Sequence, residues 1–109
     1  MSPEVESLYL DLLSFAENLG DDVSIRFLKH YVAIARLKNF TCVQPSRSQL
    51  KLWLSLDPDQ VTLEPGFSRD VTNIGHHSSG NLEIDVRDRD GLVKAQPFIE
   101  LAYQQNFSV

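Results

Sequence analysis

The alternation of apolar and polar positions changes period along the chain, and each change predicts a change of element. Val5, Leu8, Leu12, Phe15, Ala16 and Leu19 follow one another at helical spacing, which gathers them into one apolar stripe. Ser2 is a good cap for that helix, Pro3 suits its first position, and Glu4 and Glu6 put negative charge where the helix dipole favours it. Gly20 offers a left-handed stop, so a helix is predicted over residues 3–19. From Val23 the period falls to two. Val23, Ile25 and Phe27 alternate with Ser24 and Arg26, residues 31–36 form a second extended run, 37–39 a tight turn, 40–44 a strand and 45–48 a polar turn. In residues 49–56 the alternation is cleanest: Leu50, Leu52, Leu54 and Leu56 point one way, and Gln49, Lys51, Trp53 and Ser55 the other. Connections this short join antiparallel neighbours, because a parallel crossover needs about a dozen residues or more.

Asp57-Pro58-Asp59 and Glu64-Pro65-Gly66 bracket a loop, residues 67–74 read as a short irregular extended segment, and 78–81 as a turn. Leu82, Ile84 and Val86 then alternate with Glu83, Asp85 and Arg87 as a last strand. Asp88 or Asp90 caps a terminal helix reaching residue 106, whose buried face would hold Leu92, Ile99, Ala102 and Tyr103. Pro97 lies inside it and removes the hydrogen bond to the Val93 carbonyl, which predicts a kink or a late start. The fold class is therefore α+β: an N-terminal helix, an antiparallel meander of about five strands and a C-terminal helix. Both helices would cover the leucine face of the sheet and leave the opposite face in water. The 109 residues form one domain, able to bury roughly two-thirds of its unfolded surface. The sequence leaves open whether the domain stands alone or is the C-terminal domain of a longer protein.

Charge adds what the apolar pattern does not show. Residues 23–56 carry six bases and no acid, residues 1–22 six acids and no base, and residues 57–109 nine acids against four bases, so a net charge of −5 conceals a basic middle. Arg26, Lys29, Arg36, Lys38, Arg47 and Lys51 make up that middle, interleaved with Phe27, Tyr31, Phe40 and Trp53. A basic surface bearing aromatic rings suits nucleic acid, with Trp53 stacking on a base and the cations neutralising phosphates. DNA or RNA is thus the leading expected partner. Two readings compete with it: the bases are solvated strand residues neutralised by the acidic first helix, or Trp53, Tyr31 and Phe40 form an apolar patch that meets a protein partner or a second copy. The single cysteine, Cys42, cannot form an intrachain disulfide, and no apolar run approaches the ~18 residues of a membrane span. A cytoplasmic domain without a membrane partner is expected.

No catalytic motif emerges. Arg69, Asp70, Asn73, Gly75 and His76 form the densest polar cluster outside the strands, read either as a binding loop or as a turn held by its own side chains. His76 and His77 are adjacent and would point apart, and His30 with Cys42 has no ligand spacing, so neither metal nor other cofactor is expected. Asp70 with Glu83, Asp85 and Arg87 faintly echoes a nuclease metal site but lacks its lysine. Cys42 alternates with Thr41 and Val43 in a strand and reads as a buried, inert thiol.

Residues 31–40 (YVAIARLKNF), 49–56 (QLKLWLSL), 66–84 (GFSRDVTNIGHHSSGNLEI) and 99–103 (IELAY), taken in order, resemble a family known as a domain of unknown function, number 5655, often labelled a predicted transport protein. The resemblance implies an accessory domain, C-terminal to other modules that include restriction-endonuclease-like ones, and hence a nuclease-like neighbour. Where that family has an aromatic after the first histidine of the Gly-His segment, this chain has His77. The order helix, meander, helix is also similar, at the level of fold alone, to the MmcQ/YjbR group with its double-wing DNA-binding shape.

Overall fold

The computed structural model describes residues 1–74 and 80–106. Helix α1 (Pro3–Glu17) starts as its sequence predicts, with the Ser2 hydroxyl accepting the Val5 N–H at 3.2 Å. It ends on Asn18, which keeps a right-handed φ of −82°. Gly20 is not a left-handed stop, since the positive-φ glycines among the described residues are Gly66 and Gly80. Gly20 is needed instead for close approach: a Cβ there would fall 2.1 Å from the Tyr103 hydroxyl.

Strands β1 (Ser24–Phe27), β2 (Val32–Ala35), β3 (Asn39–Pro45) and β4 (Leu50–Leu54) form the expected meander. A bulge at Ile34/Ala35 sets Ala35 opposite Asn39. After a one-turn 3-10 helix (Pro58–Gln60), the chain makes β5 (Ser68–Asp70) and β6 (Leu82–Val86) before helix α2 (Arg89–Gln105). Among the described residues the sheet has six strands, one more than the pattern suggested, in the order β1-β2-β3-β4-β6-β5 and antiparallel throughout. Its extra member is the three-residue β5 at the far edge. Asp88 caps α2 through Gly91 N–H, and the helix runs from Arg89 across Pro97, so the late start is not found.

Leu50, Leu52, Leu54 and Leu56 pack with Val5, Leu8, Leu12 and Ala16 of α1 and Leu92, Ala95, Ile99 and Ala102 of α2 in one core. Removing each leucine from water contributes about 1.5–3 kcal/mol. The helices lie on that face, as expected. The opposite face, expected to be wet, has a second apolar cluster made of Ala33, Cys42, Trp53 and Val71, with Tyr31 packed against it. Val71 comes from the loop after β5 and lies far from these strands in sequence.

Candidate interaction surface

Pairing register fixes which side chains share the helix-free face. One row crosses the whole sheet: Arg26, Ala33, Cys42, Trp53, Glu83 and Arg69. The next row sets Gln44 beside Lys51 and Asp85. Trp53, expected to face solvent, is 3 % exposed, and its indole N–H donates to Glu83 Oε1 at 3.2 Å. Phe40 is fully buried too and meets the Tyr103 ring edge-on. Neither ring is available to a base or to a protein partner, so each expected surface loses two of its rings, while Tyr31 is half-buried and Phe27 stays exposed.

The cations are divided. Lys51 lies 3.7 Å from Glu83 and 3.5 Å from Asp85, and Arg69 pairs with Glu83. Burial pushes the Glu83 carboxyl up, but the Arg69 hydrogen bond, the Lys51 and Arg69 charges and the Trp53 indole outweigh it and hold the group below its ordinary value. A carboxylate 5 % exposed among these donors is therefore an internal anchor for Lys51 and Arg69. Arg36 bonds Asp22 at 2.6 Å, donates to the Tyr103 carbonyl at 3.1 Å and lies 4.1 Å over the Tyr103 ring. The Tyr103 hydroxyl donates to the same Asp22 at 2.7 Å. These bonds clasp the end of α2 to β2 and to the loop after α1.

The Tyr103 hydrogen bond and then Arg36 hold the Asp22 carboxyl below its ordinary value. Its contribution to stability is present above the ordinary carboxylate range and is lost as pH falls through the lowered value. Tyr103→Phe is expected to move the Asp22 carboxyl back up; a carboxyl NMR titration that leaves Asp22 where it was would break this assignment.

Arg26, Lys29, Lys38 and Arg47 remain exposed. Arg26 reaches only Asn39 Oδ1, at 3.3 Å, and Lys29, Lys38 and Arg47 form no ion pair among the described residues. The meander places the β1–β2 and β3–β4 turns, which hold Lys29 and Arg47, at one end of the sheet and Lys38, in the β2–β3 turn, at the other. The first end keeps one ring of the expected aromatic set, Phe27, 69 % exposed on the edge strand β1, and beside it Leu28, 43 % exposed, an apolar pair that the sequence did not single out. Their signal was the edge position, which becomes visible only once the strand order is known.

Of the polar loop cluster, Arg69 belongs to the Glu83 network, while Asp70 and Asn73 line an open cleft of about 630 Å³ with Asp57, Asp59 and Thr72. Asp70 accepts the Thr72 N–H at 2.9 Å and hydroxyl at 2.6 Å. The hydroxyl and then the backbone bond lower its carboxyl. Asp57 likewise accepts Asp59 N–H at 2.9 Å. These carboxylates hold turns, which favours the structural reading of the cluster. Gly75 and His76 lie outside the described residues. No group of three or more His, Cys, Asp or Glu side chains is placed to hold a metal among the described residues. No helix among them is long and apolar enough to cross a membrane.

Fold and surface together define a helix-backed antiparallel-sheet domain with a closed charge network on one face and an apolar, basic edge. The chain belongs to the family described as Domain of unknown function (DUF5655), whose model matches residues 2–106. It is similar to a protein of Haemophilus influenzae described as an uncharacterized protein, 26 % identical over 98 residues, which are 90 % of this chain and 32 % of the relative. The chain thus spans about a third of the length of that relative. No solved structure matches it significantly.

Proposed function

We propose that the domain is a non-enzymatic interaction module that docks a protein partner at the β1–β2 hairpin. The exposure of Phe27 beside Leu28 supports this reading, since apolar side chains clustered on an otherwise charged surface gain most from contact with another protein. The length of the relative supports a role as one part of a larger assembly. Contact with DNA or RNA keeps Arg26, Lys29, Lys38 and Arg47 as phosphate partners and Phe27 as an exposed ring, but it loses the Trp53 indole and has no continuous basic track. The sheet-face form of that reading is therefore the weaker one.

The test is site-specific photo-crosslinking in cells, with benzoylphenylalanine in place of Phe27 and, as a control, of Glu100 on the exposed side of α2. A discrete adduct at Phe27 that protease removes and nuclease does not is expected. A nuclease-sensitive adduct, or equal yields at the two positions, overturns the proposal. In parallel, fluorescence anisotropy with single- and double-stranded oligonucleotides at low salt is expected to stay flat. Binding that weakens with added salt and disappears in Lys29→Glu would return the domain to nucleic acid.

A further inference from the structure

We infer that the free edge of β1 accepts an acidic, extended peptide segment as a seventh strand, an inference that rests on the protein-docking reading and specifies its partner. Leu28 N–H donates to the Tyr31 carbonyl at 2.9 Å, which fixes the phase of the β1–β2 ladder. Hydrogen-bonded and non-hydrogen-bonded pairs alternate in an antiparallel ladder. Arg26 and Ser24, two and four residues back from Leu28, therefore direct their backbone groups to Ala33 and Ala35. Ile25 and Phe27 direct their N–H and C=O away from the sheet, where no further strand lies among the described residues. That is the donor–acceptor row a strand-adding ligand completes.

Side chains supply the specificity. Ile25 and Phe27 share the helix-side face with Ile34 and Val32, so an apolar residue of the incoming strand would cover Phe27. Arg26 emerges on the other face and Lys29 beyond the strand end, with no Asp or Glu anywhere in residues 23–56. Asp22, just before the strand, is committed to Arg36 and Tyr103. Pairing of β1 with a second copy brings two sets of Arg26 and Lys29 together, and a register centred on Arg26 puts the two guanidinium groups opposite each other. Charged residues on an edge oppose self-pairing in this way, whereas an acidic strand turns the same repulsion into attraction. The other edge offers less: β5 has three residues, and its Arg69 is tied to Glu83.

The experiment uses the purified chain and a short capped peptide of alternating valine and glutamate, read by amide hydrogen exchange. Near saturation the Ile25 and Phe27 amides are expected to exchange at least roughly tenfold more slowly. The valine–lysine peptide, and the acidic peptide N-methylated on the residues that face β1, should give no such protection. A combined Arg26→Glu and Lys29→Glu variant, altered only at exposed positions, should reverse the preference toward the lysine peptide. Equal protection by both peptides, binding that leaves Ile25 and Phe27 unprotected, or no binding overturns strand addition. Protection of those amides by an oligonucleotide, or in a self-associated chain without peptide, also overturns it and identifies a polynucleotide or a second copy as the occupant. A protein adduct in the crosslinking experiment, combined with failure here, removes strand addition alone; a nuclease-sensitive adduct removes both readings.

Discussion

Trp53→Ala is expected to be the most damaging single substitution on the helix-free face of the sheet, costing about 3–5 kcal/mol by urea or thermal unfolding. Domains of this size have about 5–15 kcal/mol in all, so the variant would lie near the edge of folding. Two losses combine in it. The indole fills the centre of the cluster with Ala33, Cys42 and Val71, none of them large enough to collapse into the space it leaves. Its N–H also serves the buried Glu83 carboxylate. Trp53→Phe keeps most of the ring volume and removes that donor, so it should lose less, and the difference between the two variants separates packing from hydrogen bonding. A loss below about 1 kcal/mol in Trp53→Ala would mean that this face is open to water.

Glu83→Ala should follow, at about 2–4 kcal/mol, because it strands a Lys51 and an Arg69 that were arranged around a carboxylate and leaves the Trp53 N–H without its acceptor. Both cations are partly exposed and can turn to water, which keeps the cost below that of a fully buried pair. The pH dependence gives an independent check. The folded Glu83 carboxyl lies below its ordinary value, so its stabilising contribution is complete above the ordinary carboxylate range and disappears as pH falls through the lowered value. In Glu83→Gln that part of the acid slope should be missing, and the stability curves of variant and wild type should converge in acid. Parallel curves across that range would place the shift elsewhere.

Much of the architecture was readable from period alone. Ser2, Pro3 and the α1 stripe specified the first helix, and Leu50, Leu52, Leu54 and Leu56 identified both a strand and its buried face, because alternation and capping are local properties. Trp53 shows where such reading stops. Alternation assigned it correctly to the face opposite the leucines, but whether that face is covered depends on Val71, which arrives through a loop whose path no local pattern encodes. The charges fail for the same reason. Lys51 meets Asp85 and Glu83 only because β6 inserts beside β4, and Arg36 meets Asp22 and Tyr103 only when three separated segments converge. A basic stretch in sequence is thus not a basic surface. Phe27 completes the picture: its place among the basic residues is plain in the sequence, but its position on a sheet edge beside an exposed Leu28 shows only in the strand order.

The insertion of β6 between β4 and β5 also shapes how the molecule fails. The meander β1–β4 assembles from neighbouring segments, whereas β6 reaches its place only after the chain has travelled from Leu54 to Leu82. Loss of that late-arriving strand would uncover the flank of β4, a row of backbone groups beside Leu50, Leu52 and Leu54, on which Lys51 is the single charged residue. Acid, which discharges the Glu83 carboxylate that ties β6 to Lys51 and Trp53 of β4, is the condition under which this sticky intermediate should accumulate and turn into aggregate.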